Sequence, residues 1–347
     1  MPVDADRIDA LLDRAVDERV TPGAVWLAGG PSGPDTGGQV GLLDPDSPTT
    51  PMRSDTLFDI ASLTKVTAVW SVIGTLWDDG VLRLDDPLAH LLPDLATAPL
   101  GQVTVRQLLT HTAGVPPRAR LKALYGTDST EIRRGVLHEQ LHRTPGEEVR
   151  YTDRAALILG FLAEELTGQA LDVPARDRVW APLGMEQTRF GPLPSELVER
   201  AAPTELDEET GRHLRGVPHD FSARLLGGVC GIAGAFSTAP DVGRFLAHML
   251  APEEGMGFGE KWVAESLRVQ TGELEPRRGL FWHPAPGTDP EEDVWVHYGF
   301  TGTGAWICPR QERWAVLMTN KLYYTRDREP ITELRGAFRQ AAFPANG

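Results

Sequence analysis

Strand-forming runs lie at both ends of this chain and the long stretch between them reads as helix, which leaves few ways to assemble a single folded unit. An amphipathic helix is predicted over residues 4–19, where Ile8, Leu11, Leu12, Ala15 and Val16 recur at helical spacing behind Asp4 as a cap. Thr21-Pro22-Gly23 ends it, residues 24–28 then read as a buried strand, 29–38 as a glycine-rich loop and 39–43 as a second strand. At the far end, residues 280–283, 294–298, 304–308 and 314–319 have strand character, the last two joined by a hairpin turn at 309–313, and an amphipathic helix closes the chain over 331–343. Helical patterns fill the middle: from Ser62 toward Asp79-Gly80, over 105–110 behind Thr104, over 130–142, from Thr152 to a stop at Gly168, and over 174–180. A small-residue run, 227–236, allows close backbone approach, and 241–250 reads as one more helix behind Thr238. The expected fold is therefore α/β in the α+β sense: an antiparallel β-sheet built from both termini and flanked by terminal helices, with a mostly helical domain inserted. The boundaries expected are 1–60 with 221–347 for the sheet domain and 61–220 for the insertion.

With 347 residues, 41% of them hydrophobic, the chain can bury a sizeable core. Lys and Arg total 34 against 49 Asp and Glu, a net charge of −15, which disfavours nucleic acid or an anionic membrane surface as partner. Cys230 and Cys308 lie far apart in apolar or glycine-rich surroundings and read as two buried thiols, neither disulfide nor metal pair. No basic segment followed by an apolar run opens the sequence, and no stretch approaches the ~18 apolar residues that span a bilayer, so a cytoplasmic protein is expected.

Chemistry enters at Phe58-Asp59-Ile60-Ala61-Ser62-Leu63-Thr64-Lys65. One helical turn separates Ser62 from Lys65, so Oγ and Nζ share a face. A serine hydroxyl attacks carbonyls only if something nearby takes its proton, and a lysine whose pKa is lowered by burial is expected to do so. Tyr151, after Pro145-Gly146 and at the start of a helix, is a candidate second proton carrier. Gly299, in His297-Tyr298-Gly299-Phe300 at the end of a strand, lets substrate come close to the sheet edge, where a backbone N–H can join that of Ser62 as an oxyanion hole.

In this order the motifs resemble those of the serine β-lactamase and penicillin-binding-protein superfamily, especially its class C β-lactamase-like branch with the family VIII esterases. The resemblance covers most of the chain: Ser62-Leu63-Thr64-Lys65, Leu108 through Gly114, Pro145-Gly146 into Tyr151-Thr152-Asp153, Pro182-Leu183-Gly184-Met185, Phe236-Ser237-Thr238 and His297-Tyr298-Gly299. It implies a β-lactamase/DD-peptidase-like fold with the site in the cleft between the domains, and no metal or cofactor. It further implies Ser62 as acylated nucleophile, Lys65 as its base, Tyr151 as proton carrier, and the N–H groups of Ser62 and Phe300 as oxyanion hole. Asp153, His297, Tyr298 and Gly299 fall at substrate-binding positions. Three of these depart from the β-lactamase pattern: Asp153 replaces asparagine, His297 replaces lysine and Tyr298 replaces a small hydroxyl residue. A neutral histidine holds a β-lactam carboxylate poorly, so little β-lactamase activity is expected and an ester or non-lactam amide is the expected small-molecule substrate.

Two motifs are set aside. His138-Glu139-Gln140-Leu141-His142 matches a zinc-protease pattern, but the surroundings are polar, Pro145-Gly146 follow at once and no third ligand is apparent; a solvated helix face is expected. Gly299, Gly302 and Gly304 lie between strands instead of opening a helix, which argues against a dinucleotide site. For His111 the resemblance implies a structural role beneath the cleft and not a catalytic one. An acyltransferase with the same acyl-enzyme and a catalytically silent binding domain remain open alternatives, and the sequence leaves the oligomeric state undetermined.

Overall fold

The computed structural model describes residues 2–344. Six antiparallel strands form its main sheet: β1 (Gly23–Gly30), β2 (Gly33–Gly41), β3 (His283–Pro284), β4 (Trp295–Tyr298), β5 (Gly304–Cys308) and β6 (Arg313–Thr319), in the spatial order β2-β1-β6-β5-β4-β3. Strands from the two ends of the chain thus meet at the centre, with Trp26 of β1 opposite Leu317 of β6. Side chains alternate across the sheet with the period of two that the pleat imposes. Ala24, Trp26, Ala28, Val296, Trp306 and Leu317 pack on one face against Ile8, Leu12, Leu334 and Phe338 of the terminal helices Ala5–Asp17 and Glu329–Ala342. Val25, Ile307, Val316 and Met318 face the other way, into the large core shared with the helices of the middle segment. Asp4 caps the first helix by accepting the Arg7 N–H at 3.2 Å, and its own N–H donates to the Ala341 carbonyl at 3.1 Å, so the two terminal helices run side by side.

The fold places both expected terminal helices and the strands near the C-terminus, and the antiparallel sheet with its helical middle is the architecture anticipated. Three local expectations fail. Residues 33–38 are strand, not loop: Gly37 and Gly38 pair with Leu27 and Trp26. A Cβ on Gly37 would lie 2.3 Å from Leu27 Cδ2, and one on Gly38 2.6 Å from Asp9 Oδ1, so these glycines admit close neighbours where the sequence suggested a loop. Strand β3 is only two residues long and begins at the end of the expected 280–283 run. The helix predicted over 130–142 stops at Leu137, behind Asp128 as cap.

The segment that opens at Ser62 is not one uniform helix either. A 3₁₀ turn, Ala61–Leu63, leads into a widened π-type stretch, Lys65–Trp70, and then into the α-helix Ser71–Asp78. It runs through the core as expected: the Trp70 ring lies 4.7 to 6.1 Å from those of Phe258, Trp262, Phe245 and Trp282. Just ahead of it, Phe58–Asp59 pairs with Ala235–Ser237, which pairs in turn with Arg189–Phe190. The small-residue run approaches the helix Asp153–Thr167 so tightly that a Cβ on Gly231 would come within 2.3 Å of the Ala156 carbonyl oxygen. Both cysteines are buried and free. Among the described residues, no helix is long and apolar enough to cross a membrane.

Candidate active site

Ser62 sits on a turn held from beneath by Asp59. That carboxylate, 1% exposed, accepts the Ala61 N–H at 2.9 Å through one oxygen, and through the other the His219 N–H at 2.7 Å and Nδ1 at 3.0 Å. Ala61 has φ 48°, the left-handed region that a residue with a Cβ adopts only under constraint. Burial alone disfavours a charged His219 imidazole, but the attraction and hydrogen bond of Asp59 outweigh it and its pKa is raised. Asp59 and His219 were not among the residues anticipated. Asp59 lies three positions before Ser62, and its burial, the one sign of its role, is a property of the folded state.

Lys65 points back along its turn to Ser62. Its Nζ, fully buried, donates to Ser62 Oγ at 2.8 Å and to the Ile232 carbonyl at 2.7 Å, and lies 2.9 Å from Asp153 Oδ1. An ammonium has three donors, and all three have acceptors here. Burial pulls the Lys65 pKa down, yet the Asp153 carboxylate and Tyr151 outweigh it and hold the group above its ordinary value. This corrects the expectation of a lysine poised as a neutral base: Asp153, at the start of the helix Asp153–Thr167, keeps Lys65 charged.

Tyr151 donates its hydroxyl to Ser62 Oγ at 3.0 Å. Thr152, the next residue, caps the helix by accepting the Arg154 N–H at 3.0 Å and donates to the Pro116 carbonyl at 2.6 Å, which fixes where the tyrosine leaves the backbone. The Tyr151 ring lies 4.7 Å from the imidazole of His111, with the guanidinium of Arg278 5.7 Å from its centre. His111 is buried, and burial with the nearby cations pushes its pKa well below the usual range. It is a neutral support under the tyrosine.

The glycine-rich strand end stands directly above the nucleophile's turn. Thr301 Oγ1 donates to the Asp59 carbonyl at 2.7 Å and Thr303 Oγ1 to the Ile60 carbonyl at 3.2 Å, so the loop carrying Phe300 is bonded to the residues that precede Ser62. A Cβ on Gly299 would stand 2.1 Å from Thr303 Oγ1 and 2.5 Å from the Ile60 oxygen; only glycine fits. His297 is buried, its Nδ1 2.9 Å from the Phe281 carbonyl, so that nitrogen carries the proton. Burial also pushes its pKa well below the usual range, and it is therefore neutral and no substitute for a lysine. Tyr298 faces the opposite side of the sheet, its ring 5.5 Å from Trp306 and 4.3 Å beneath the Arg335 guanidinium.

Together Ser62, Tyr151, Asp153, His297, Tyr298, Gly299 and Phe300 border one cleft of about 750 Å³, at whose floor Lys65 meets Ser62. The zinc-like motif lies elsewhere: His138 ends its helix and Glu139 is 3.0 Å from the fully buried Arg154 guanidinium. Among the described residues, no cluster of His, Cys, Asp or Glu is arranged to hold a metal.

The Beta-lactamase family sequence profile matches residues 8–339, and the chain belongs to the serine β-lactamase and penicillin-binding-protein superfamily. It is 31% identical over 303 residues to a putative D-alanyl-D-alanine carboxypeptidase of Escherichia coli K12, covering 77% of this chain and 69% of that protein. In fold it is similar to EstCE1, described as a hydrolase with promiscuous acyltransferase activity: TM-score 0.77, 20% identity, 97% of this chain and 98% of that one. Simvastatin synthase LovD from Aspergillus terreus is similar too, with TM-score 0.76, 21% identity and 97% of each chain covered.

Proposed function

We propose that this protein is a serine hydrolase that cleaves an ester or non-lactam amide through an acyl-enzyme on Ser62, with little β-lactamase activity. The observation that carries the reading is the placement of Ser62 Oγ, 2.8 Å from Lys65 Nζ and 3.0 Å from the Tyr151 hydroxyl at the floor of the cleft. With all three Lys65 donors engaged, the group left to receive the Ser62 proton is Tyr151. As Ser62 Oγ bonds to the substrate carbonyl carbon, Tyr151 relays a proton: its oxygen takes the Ser62 proton as its own hydroxyl proton goes to the leaving group, whose bond to the acyl carbon breaks. Lys65 supplies fixed positive charge beside the developing negative charge on Oγ, and the N–H groups of Ser62 and Phe300 serve as the oxyanion hole. Water then attacks the acyl carbon, its proton passing to the Tyr151 oxygen as the Tyr151 hydroxyl proton returns to Ser62 Oγ, and the acyl group leaves as the free acid. The neutral His297 and the negative Asp153 support the exclusion of β-lactams, since neither attracts a carboxylate.

A fluorophosphonate probe is expected to label the wild type and leave Ser62→Ala unlabelled. Absence of label on the wild type would favour a silent binding domain. Turnover of p-nitrophenyl esters should exceed that of nitrocefin, and the reverse order would overturn the substrate preference. Transfer of the acyl group to an alcohol or amine shares every step up to the acyl-enzyme. EstCE1's described promiscuity makes it the second reading, and product analysis with added acceptors separates the two.

A further inference from the structure

Beyond Phe300 the cleft ends in a group of cations. Lys321 Nζ and the guanidinium carbons of Arg326 and Arg328 lie 5.0, 5.1 and 4.9 Å from the centre of the Phe300 ring, and Arg335 covers the adjacent Tyr298. Of these four, Arg326 alone forms a salt bridge among the described residues, with Glu205. The Lys321 ammonium donates to the carbonyls of Asp327 at 2.6 Å and Thr325 at 3.3 Å, and Arg335 to those of Gly299 at 2.6 Å and Thr303 at 2.7 Å. Carbonyls accept hydrogen bonds but cancel no charge, and an aromatic face offsets a cation only weakly. Three positive charges, on Lys321, Arg328 and Arg335, thus stand without a salt-bridge partner among the described residues, in one corner of a protein whose net charge is −15. At Lys321 burial first, and then Arg335 and Arg328, pull the pKa down to about 8 against the opposing Asp327 carboxylate. Such a grouping costs stability unless something else benefits from it.

The corner is rigidly indexed to the nucleophile. The Lys321 N–H donates to the Thr301 carbonyl at 3.0 Å, and the Thr301 hydroxyl donates to the Asp59 carbonyl at 2.7 Å, three residues before Ser62. We infer that this corner is a subsite for a group bearing two negative charges on oxygen, a phosphomonoester or a pair of carboxylates, carried by the ester or amide that Ser62 cleaves. A single carboxylate would leave two of the three cations facing each other, whereas a dianion brings the corner close to neutrality and offers planar guanidinium forks several acceptors at once. The inference rests on the acyl-enzyme reading for its chemistry and on the charge distribution for its specificity.

The test is a matched series of p-nitrophenyl esters whose acyl chain ends in a methyl, one carboxylate, two carboxylates or a phosphate. At low ionic strength kcat/KM for both dianionic esters is expected to exceed that of the methyl ester by at least about tenfold, and the advantage to shrink as salt is added. The better of the two dianions identifies which oxyanion chemistry the corner takes. Arg328 is exposed, so Arg328→Gln is expected to fold, and it should lower the dianion-to-neutral ratio by about tenfold. Equal kcat/KM across the series, a monocarboxylate that outruns both dianions, or a ratio indifferent to Arg328→Gln overturns the subsite while leaving Ser62 chemistry intact. If instead no ester reacts and the fluorophosphonate fails to label Ser62, the acyl-enzyme reading falls, and the corner is decided by binding alone. Inorganic phosphate should then raise the Tm of the wild type above that in chloride of equal ionic strength and do so less for Arg328→Gln; no difference overturns the subsite as well.

Discussion

Replacing Asp153 by asparagine separates two roles for Lys65. The substitution keeps an acceptor near Nζ and removes the charge that stands 2.9 Å from it. Unit charges at that distance attract by about 6 kcal/mol at an effective dielectric constant near 20. The Asp153 side chain is 36% exposed, so solvent screening brings the loss to about 2–3 kcal/mol, and the Lys65 pKa falls with it. The assay is the rate of the first acylation by a p-nitrophenyl ester, followed from neutral to strongly alkaline pH. If Lys65 acts as a fixed cation with Tyr151 carrying the proton, Asp153→Asn is slower than wild type and its alkaline limb falls at lower pH, because the ammonium now titrates earlier. A variant that acylates faster than wild type at neutral pH would refute this, since only a neutral lysine base gains from a lowered pKa. Stability supplies a second readout with a fixed sign. The folded Lys65 pKa lies above its ordinary 10.5, so the pair's contribution is complete below 10.5 and is lost as pH rises through the folded value. The stability gap between wild type and variant should therefore be constant near neutrality and close only at strongly alkaline pH.

Other outcomes follow from single contacts. Asp59→Ala leaves the Ala61 and His219 N–H groups and a buried imidazole without their acceptor and should cost about 3 kcal/mol in chemical denaturation, with slower fluorophosphonate labelling as the Ser62 turn loosens. Because His219's pKa is raised in the fold, its pair with Asp59 stabilises fully below the ordinary 6.5 and less as pH rises through the folded value; His219→Gln should remove that dependence from a pH series of denaturation curves. Gly299→Ala forces a methyl against Thr303 Oγ1 and the Ile60 oxygen and should lower kcat more than it raises KM, with roughly 1–3 kcal/mol lost in stability. Chelators should leave activity untouched, whereas Glu139→Gln should lower Tm by weakening the ion pair with the buried Arg154.

Periodicity was enough to read the terminal helices, strand β5 and most of β6, because alternation and helical spacing are local properties. The segment 33–38 misled for the same reason: its glycines are explained by Leu27 and Asp9, which no local window joins to them. At the site, Ser62, Lys65 and Tyr151 were legible through motif order, and the structure brings them within 3.0 Å of one another through Ser62 Oγ. The charge state of Lys65 was not, since it depends on Asp153 and on the Ile232 carbonyl, which arrive from other parts of the chain. The cationic corner was hidden differently. Along the sequence Asp327 sits between Arg326 and Arg328 and suggests local balance, but it forms no salt bridge with the cations of the corner and gives Lys321 its backbone carbonyl as acceptor, so its carboxylate offsets the corner only in part.

The contact between Asp4 and Ala341 has a consequence for engineering. Since these two positions are hydrogen-bonded neighbours, a short linker can join residue 4 to residue 341, and a break can be opened in the exposed turn at 208–211. A chain permuted in this way would keep β1 and β6 paired, while β3 through β6 would be synthesised ahead of β1 and β2 instead of after them.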